Sequence, residues 1–170
     1  MVRFSASLWG LFRELPVIER IGAAGMAGFG GVEIHYPYEY APELIGEKLE
    51  EHEVKLALIN TPWGDWDAGD RGMACCAGRE EEFRGTIELA LDYAVRLGRP
   101  LIHVVAGLTK AGLCEPSWDT YVANLTMAAK MAEDQGCQLL IEPINQRDMD
   151  FGFWILDFGF SDSNGICSSQ

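Results

Sequence analysis

The segment LLIEPIN, residues 139–145, ends an apolar run on a carboxylate, Glu142. An ionised carboxylate is costly at the end of a buried strand unless it is paired, hydrogen-bonded or bound to a metal ion. Two interpretations follow from this position. Glu142 either reaches solvent at the strand end, or it does chemistry as a general base or as a ligand to a metal ion.

Other polar residues stand in similar positions along the chain. Glu33 and His35 end the second apolar run, Asn60 ends the third, and His103 lies in the fourth. In parallel α/β proteins, ligands bind beyond the carboxyl ends of the strands. We therefore predict Glu142 as a catalytic residue, with Asn60 and His103 as substrate-binding residues. His103 alternates with apolar residues, so a hydrogen-bonded core histidine is the alternative for this position.

Five apolar runs alternate with amphipathic stretches, and repeated βα units of this kind predict a parallel sheet covered by helices. The average repeat is about 34 residues, so eight repeats would need about 270, near the size of a complete barrel. An open doubly wound sheet fits the spacing equally well. The predicted strands are Phe4–Leu8, Val32–Tyr36, Val54–Asn60, Leu101–Ala106 and Gln138–Ile141.

The helices between these strands have recognisable ends. Residues 80–97 and 118–135 carry apolar side chains at the spacing of a core-facing helix. Pro42 and Ser117 fit the first positions of two helices. The glycines expected to end helices in the left-handed conformation are Gly28, Gly98 and Gly136.

The glycine-rich segment GAAGMAGFGG, residues 22–31, lies between a helix and the following strand. A phosphate-binding glycine loop instead runs from a strand into a helix, whose N-terminus faces the anion. We therefore predict no nucleotide cofactor, and we assign the glycines to turns and close packing.

Composition narrows the class of partner. The net charge is −13, and the sequence contains no cluster of Lys and Arg residues. Both features argue against nucleic acid as a binding partner. No apolar run approaches the ~20 residues of a spanning helix, and the N-terminus lacks a signal-peptide pattern, so we expect no membrane partner. The five cysteines show no CxxC spacing, and we expect reduced thiols in a cytoplasmic protein.

The connection after the third strand, residues 62–79, is long for a βα loop. Loops of this length are usually functional or disordered. Trp63 and Trp66 argue against disorder, and the segment is predicted to cover an active site.

Several segments in order resemble the hydroxypyruvate isomerase family, which includes 2-oxo-tetronate isomerases and belongs to the xylose-isomerase-like TIM barrels. They are RFSASLWGLFRELP, GFGGVEIHYPY, LALINTPWGDWDAGDRGMA, GREEEFR, LIHVVAG, TYVANL and LLIEPINQRDM. The resemblance covers residues 3–149 and implies the (β/α)8 barrel rather than the doubly wound sheet.

The resemblance also implies a reaction: interconversion of hydroxypyruvate and tartronate semialdehyde, or of a related 2-oxo acid sugar, through an enediol. Two glutamates serve as acid/base groups, and Glu142 in the EPIN motif matches the first. A divalent cation, Mg²⁺ or Mn²⁺, is a possible cofactor with Glu142 as a ligand. A sugar epimerase of the same superfamily is an alternative, whereas the net charge disfavours the superfamily's DNA-repair endonucleases.

The last segment, residues 150–170, resembles nothing in the family. We therefore predict a partial barrel domain over residues 1–149, truncated after about five βα units, and a divergent, poorly ordered tail. Open sheet edges would favour homo-oligomers or aggregation. The expected activity is impaired, and a catalytically inactive fragment or subunit-binding isoform is the alternative.

Overall fold

The structure is a computed structural model that describes residues 3–107 and 117–142. The predicted tail and the end of the predicted 1–149 domain lie outside these residues. Each predicted strand is present, but the strands are shorter than their apolar runs. The elements are β1 (Ser5–Ser7), α1 (Val17–Met26), β2 (Gly31–Ile34), α2 (Pro42–Glu51), β3 (Lys55–Asn60), α3 (Glu80–Arg96), β4 (Leu101–His103), α4 (Trp118–Asp134) and β5 (Leu139–Leu140).

The strands form a parallel sheet in the order β1-β2-β3-β4-β5. The helices follow the same order, because α1 packs on α2, α2 on α3, and α3 on α4. A doubly wound sheet reverses its strand order at a switch point, whereas a barrel adds each strand next to the previous one. The sequential order confirms the predicted barrel type. Within the described residues, β1 and β5 each pair with a single strand.

The core lies between the sheet and its helices, as the helical periodicity predicts. The face of α3 that the sequence indicates is buried, including Phe83 and Ile87. On α4 the buried face includes a polar residue, Asn124, and Leu125 is only partly buried. The Asn124 side chain donates a hydrogen bond of 2.8 Å to the carbonyl oxygen of Ala74, which satisfies the buried amide.

The predicted helix ends are confirmed. Ser117 caps α4, its hydroxyl oxygen accepting a hydrogen bond of 3.2 Å from the backbone N–H of Thr120. Pro42 occupies the first turn of α2. The three glycines after helices have the left-handed φ angles that favour glycine: Gly28 (87°), Gly98 (84°) and Gly136 (65°).

The glycine-rich segment 22–31 serves close packing. A Cβ atom on Gly22 would lie 2.6 Å from Nε2 of His52, and one on Gly25 would lie 3.0 Å from the His52 carbonyl oxygen. These two glycines therefore allow α1 to approach the end of α2, which supports the packing interpretation of the motif.

Two expectations about the protein's environment can be compared with the structure. The expectation of reduced thiols is wrong for Cys76, which is disulfide-bonded. Cys75 and Cys137 are free and buried, and burial raises the pKa of the Cys75 thiol to about 11. In the described part of the chain, no helix is both long enough and apolar enough to cross a membrane.

Candidate functional site

The carboxyl ends of β2 to β5 bring the predicted site residues to one edge of the sheet. Asn60 on β3 stands opposite His103 on β4, and His103 stands opposite Leu140 on β5. Glu142 is two residues beyond Leu140, the last residue of β5, so it lies just outside this edge of the sheet. The carbonyl oxygen of His35, just after β2, accepts a hydrogen bond of 3.3 Å from the Asn60 N–H. Sequential strand order thus gathers residues that are far apart in the chain.

Asn60 and His103 form a buried pair, with 8% and 6% of their surfaces exposed. The Nδ1 atom of His103 lies 3.2 Å from the Oδ1 atom of Asn60. Because an amide oxygen can only accept, Nδ1 carries the proton, and Nε2 of the neutral ring is an acceptor. Nε2 has no hydrogen-bond partner among the described residues. Every enclosed side-chain nitrogen or oxygen among these residues has a hydrogen-bond partner, so Nε2 is not fully enclosed.

The two histidines of the site share an electrostatic environment with Glu142. Burial lowers the pKa of His103, and the nearby Glu142 carboxylate partly opposes this by raising it. Burial also lowers the pKa of His35, with Glu33 and then Glu142 acting in the opposite direction. Both imidazoles are therefore neutral at pH 7, and Glu142 lies close enough to influence both.

Glu142 itself is exposed at the end of β5. It therefore reaches solvent, as one interpretation of the sequence holds, and its charge raises the pKa of both His35 and His103, so it lies in their vicinity. Among residues 3–107 and 117–142, no three His, Cys, Asp or Glu side chains form a group that could hold a metal ion. A cation at Glu142 would need ligands beyond these residues, because hard cations take six or more oxygen ligands.

Backbone and hydroxyl contacts fix the Asn60–His103 pair. The Tyr38 hydroxyl donates a hydrogen bond of 2.5 Å to the Asn60 carbonyl oxygen. The Thr61 N–H donates to the His103 carbonyl oxygen at 2.8 Å, and the Thr61 hydroxyl oxygen accepts from the Val105 N–H at 3.1 Å. Burial raises the pKa of Tyr38, so its hydroxyl remains a donor. The ends of β3 and β4 are thus joined on both sides of the pair.

Aromatic rings line the same edge. Trp9, after β1, is stacked on His35, with ring centroids 6.0 Å apart and planes 12° apart. Trp63 is stacked on Tyr36 at 4.5 Å, and Trp66 lies 4.9 Å from Trp63. Trp63 and Trp66 come from the long connection after β3, so this connection reaches the site edge. Its position agrees with the predicted role as a cover.

The connection after β3 is held by a partly buried ion pair. The Arg79 guanidinium donates two hydrogen bonds to the Asp70 carboxylate, at 2.7 and 2.8 Å. Asp70 also accepts a hydrogen bond of 2.9 Å from the Asp65 N–H. The Arg79 hydrogen bonds hold the pKa of Asp70 below its usual value. Gly72 forms an antiparallel bridge with Ala106, which fastens the middle of the connection beyond β4.

Sequence reasoning missed three parts of this arrangement. It did not single out Trp9, although Trp9 lies two residues beyond β1 and therefore at the carboxyl edge of the sheet. It did not foresee the hydroxyl of Tyr38 on the Asn60 carbonyl, for which the sequence gives no signal. The Asp70–Arg79 pair was also missed, because both residues lie in an irregular segment without periodicity.

A model of the protein family described as xylose isomerase-like TIM barrel matches residues 21–167. The chain belongs to this family. The match to the xylose isomerase-like TIM barrels runs beyond residue 149, into the segment 150–170 in which we recognised no motif.

Two curated members of the family illustrate the similarity. A 2-oxo-tetronate isomerase from Cupriavidus necator is 44% identical over 153 residues, which cover 88% of this chain and 58% of the relative. A hydroxypyruvate isomerase from Escherichia coli is 44% identical over 150 residues, with coverage of 88% and 58%. The chain thus spans 58% of the length of these relatives.

Solved structures show the same fold. A structure from Brucella melitensis, titled AP endonuclease, family 2, has a TM-score of 0.80 and 42% identity, covering 88% of this chain and 58% of the other. A D-allulose 3-epimerase from Methylomonas sp. has a TM-score of 0.61 and 20% identity, covering 85% and 52%. The second similarity concerns the fold alone.

Proposed function

We propose that this xylose isomerase-like protein interconverts hydroxypyruvate and tartronate semialdehyde, or a related 2-oxo acid sugar, through an enediol. The observation that carries the proposal is the position of Glu142 just beyond β5 at the carboxyl edge of the sheet, where its charge raises the pKa of two neutral histidines, His35 and His103. The names of the Cupriavidus necator and Escherichia coli relatives support the class of reaction.

In the proposed reaction, Glu142 removes a proton from the carbon next to the substrate carbonyl. The electrons of that C–H bond form the C=C bond of the enediol, and the carbonyl oxygen gains a proton. Return of a proton to the former carbonyl carbon, with loss of the proton from the hydroxyl on the carbon that Glu142 deprotonated, forms the new carbonyl group and completes the isomerisation without a net change in charge or oxidation state. A carboxylate that reaches solvent and meets a small substrate there suits this general-base role.

His103 and Asn60 are proposed to hold the substrate. The accessible Nε2 of neutral His103 accepts a hydrogen bond from a substrate hydroxyl, while Asn60 fixes the ring through Nδ1. Because burial keeps His103 neutral, its acceptor is available at pH 7. The ring orientation is set before the substrate arrives, which reduces the entropy lost on binding.

The family resemblance implies a second glutamate and a divalent cation, Mg²⁺ or Mn²⁺, that stabilises the negative oxygen of the enediolate when bound. None of the described residues matches the second glutamate, and the described residues do not fit a complete cation site. Glu142 supplies one carboxylate toward such a site. The proposed proton removal therefore rests on Glu142, while His103 and Asn60 hold the substrate.

A chain without catalytic activity that binds other subunits is the second candidate. It is favoured by the single pairing of β1 and of β5 within the described residues, and by the exposed side chains of Leu140 and Ile141 beside β5. Unpaired strand edges are templates for association with another chain. A homo-oligomer and a cytoplasmic location are further parts of the proposal.

Conversion of hydroxypyruvate by the purified 170-residue chain tests the primary proposal. We expect formation of tartronate semialdehyde that is abolished in Glu142→Gln and retained in Glu133→Gln, a change of the same type on the exposed surface of α4. Absence of conversion in the unmodified chain, with a concentration-dependent oligomer in sedimentation, would instead favour the subunit-binding candidate.

A further inference from the structure

A cavity of about 270 Å³ lies at the carboxyl ends of β1 and β2, next to the site edge. Three of its walls are aromatic, formed by Trp9, Tyr36 and Trp63, and His35 contributes a fourth ring. The carbonyl oxygen of His35 accepts a hydrogen bond of 3.3 Å from the Asn60 N–H, so the cavity adjoins the Asn60–His103 pair. A small molecule in the cavity would be adjacent to the proposed reaction site.

Two arginines line the cavity, and they have different roles. The guanidinium of Arg20 donates hydrogen bonds to the carbonyl oxygens of Leu15 (2.7 Å), Leu8 (2.6 Å) and Arg13 (3.4 Å). Arg20 thus fastens the connection between β1 and α1. The side chain of Arg13 has no ion pair or hydrogen bond with any residue in the described ranges. It is the cationic group of the cavity that remains available to a ligand.

The backbone that presents Arg13 is constrained. Phe12, the preceding residue, has a φ angle of 58°, in the left-handed region that non-glycine residues rarely occupy. Such a conformation costs about 1–2 kcal/mol and persists only where surrounding contacts enforce it. The Arg20 hydrogen bonds on both sides of Phe12 supply such contacts, so Arg13 is held at the cavity by a predetermined backbone.

We propose that Arg13 binds the carboxylate of a small 2-oxo or hydroxy acid in this cavity. This inference rests on the proposed function and specifies how its substrate is oriented. A guanidinium can bind a carboxylate through two parallel hydrogen bonds, and such charge-assisted bonds are stronger than neutral ones. Glu39 also lines the cavity but forms no ion pair with Arg13, so it leaves that charge available and can accept from a substrate hydroxyl.

The overall charge of the chain makes the local arrangement selective. With a net charge of −13, most of the surface repels an anion. An acid bound by Arg13 would extend its remaining carbons along the cavity toward His35, which also lines it. Because the carboxylate is bonded directly to the carbonyl carbon, Arg13 would hold it on the side of that carbon that points away from Glu142, where repulsion between the two negative charges is weaker.

Direct binding measurements test the inference without relying on turnover. Hydroxypyruvate and dihydroxyacetone form a matched pair of probes, because they differ only in a carboxylate against a neutral hydroxymethyl group. Calorimetric titration should show that the chain binds hydroxypyruvate, that dihydroxyacetone binds at least about tenfold more weakly, and that Arg13→Gln weakens hydroxypyruvate binding by about tenfold or more. Arg84→Gln, on the outer helix α3, is the control of equal charge and should bind like the unmodified chain.

Equal binding of both probes, unchanged hydroxypyruvate binding in Arg13→Gln, or no binding by the unmodified chain would each overturn the inference. Circular dichroism of Arg13→Gln confirms that the variant is folded. The proposed function fails separately if binding depends on Arg13 but no isomerisation occurs. Conversely, Glu142-dependent isomerisation with Arg13-independent binding would retain the proposed function and reject this carboxylate site.

Discussion

His103 Nδ1 lies 3.2 Å from Asn60 Oδ1, and this hydrogen bond joins two neighbouring strands at the carboxyl edge of the sheet. Both residues are buried, so if one side chain is removed, bulk water cannot take its place as the hydrogen-bond partner of the other. The pair fixes which nitrogen of His103 carries the proton and which one faces the site. The chemistry assigned to His103 therefore depends on Asn60.

Replacement of Asn60 by Leu should leave the buried Nδ1 of His103 without an acceptor. An unsatisfied buried polar group costs about 1–3 kcal/mol, so we expect the free energy of unfolding to fall by that amount. Urea denaturation measures the change. Thr126→Ala, which removes an exposed hydroxyl from α4, is the control and should have little effect. A stability of Asn60→Leu equal to that of the unmodified chain would contradict the structural role of the pair.

The histidines should make stability depend on pH. Burial lowers the folded-state pKa of His35 and His103 below the ordinary value of 6.5, so the unfolded chain binds more protons as the pH falls below 6.5. The free energy of unfolding should therefore be highest above pH 6.5 and decrease as the pH falls toward the folded-state values. Denaturation at a series of pH values measures this. In His103→Gln the decrease should be smaller; an identical pH profile would refute the contribution of His103.

Removal of the Glu142 charge should shift the titration of both histidines. Because the Glu142 carboxylate raises the pKa of His35 and His103 against the effect of burial, Glu142→Gln should lower both values further. Proton NMR titration of the imidazole signals provides the measurement. Glu47→Gln, on the outer helix α2, should leave these signals unchanged. If the two histidines titrate identically with and without the Glu142 charge, the three residues do not share a site.

The Asp70–Arg79 pair should control the position of the connection after β3. Asp70→Asn removes the charge that receives two hydrogen bonds from Arg79. Hydrogen bonds to charged groups contribute about 1.5–3 kcal/mol, and we expect a loss of stability of that order. Tryptophan fluorescence should also move to longer wavelength as Trp63 and Trp66 become more exposed to water. Lys48→Gln, which breaks an exposed ion pair with Glu51, should change neither quantity.

Gly72 should tolerate no side chain. Its φ angle is 91°, and an added Cβ would contact the backbone carbonyl of Val105. A left-handed backbone alone costs a non-glycine residue about 1–2 kcal/mol. Because of the added contact, we expect Gly72→Ala to lower the free energy of unfolding by more than this amount. Gly85→Ala is the matched change within α3, where nothing lies within 4 Å of the added atom. That variant should gain about 0.5–1 kcal/mol, so thermal unfolding must shift in opposite directions for the two alanine variants.

The sequence predicted the regular part of this fold because each βα unit carries its own local signals. The apolar spacing of α3 identifies the face that packs on the sheet, and Ser117 and Gly98 stand where helices begin and end. The position of Asn60, His103 and Glu142 at one edge could be predicted because ligands of parallel α/β proteins bind beyond the carboxyl ends of the strands. The choice between two α/β architectures did not follow, because repeat length is similar in both, and strand order is a long-range property.

The irregular parts of the site could not be predicted from local patterns. The Asp70–Arg79 pair and the Trp9–His35 stack join residues from different connections, and no periodicity relates them. The role of Arg20 was also inaccessible, because its partners are backbone carbonyl oxygens that carry no sequence signature. The expectation of reduced thiols failed at Cys76 because cysteine spacing gives little information about which thiols meet in the fold.

Exchange of carbon-bound hydrogen in hydroxypyruvate tests the proton removal by Glu142 most directly. In D₂O, the chain should catalyse deuterium incorporation at the hydroxymethyl carbon, measured by proton NMR against the rate in buffer alone. This readout requires one base and no second glutamate. We expect the unmodified chain and Glu133→Gln to catalyse this exchange, and Glu142→Gln to show only the rate measured in buffer. Exchange that persists in Glu142→Gln, or a buffer rate in the unmodified chain, would contradict the assignment of Glu142 as the catalytic base.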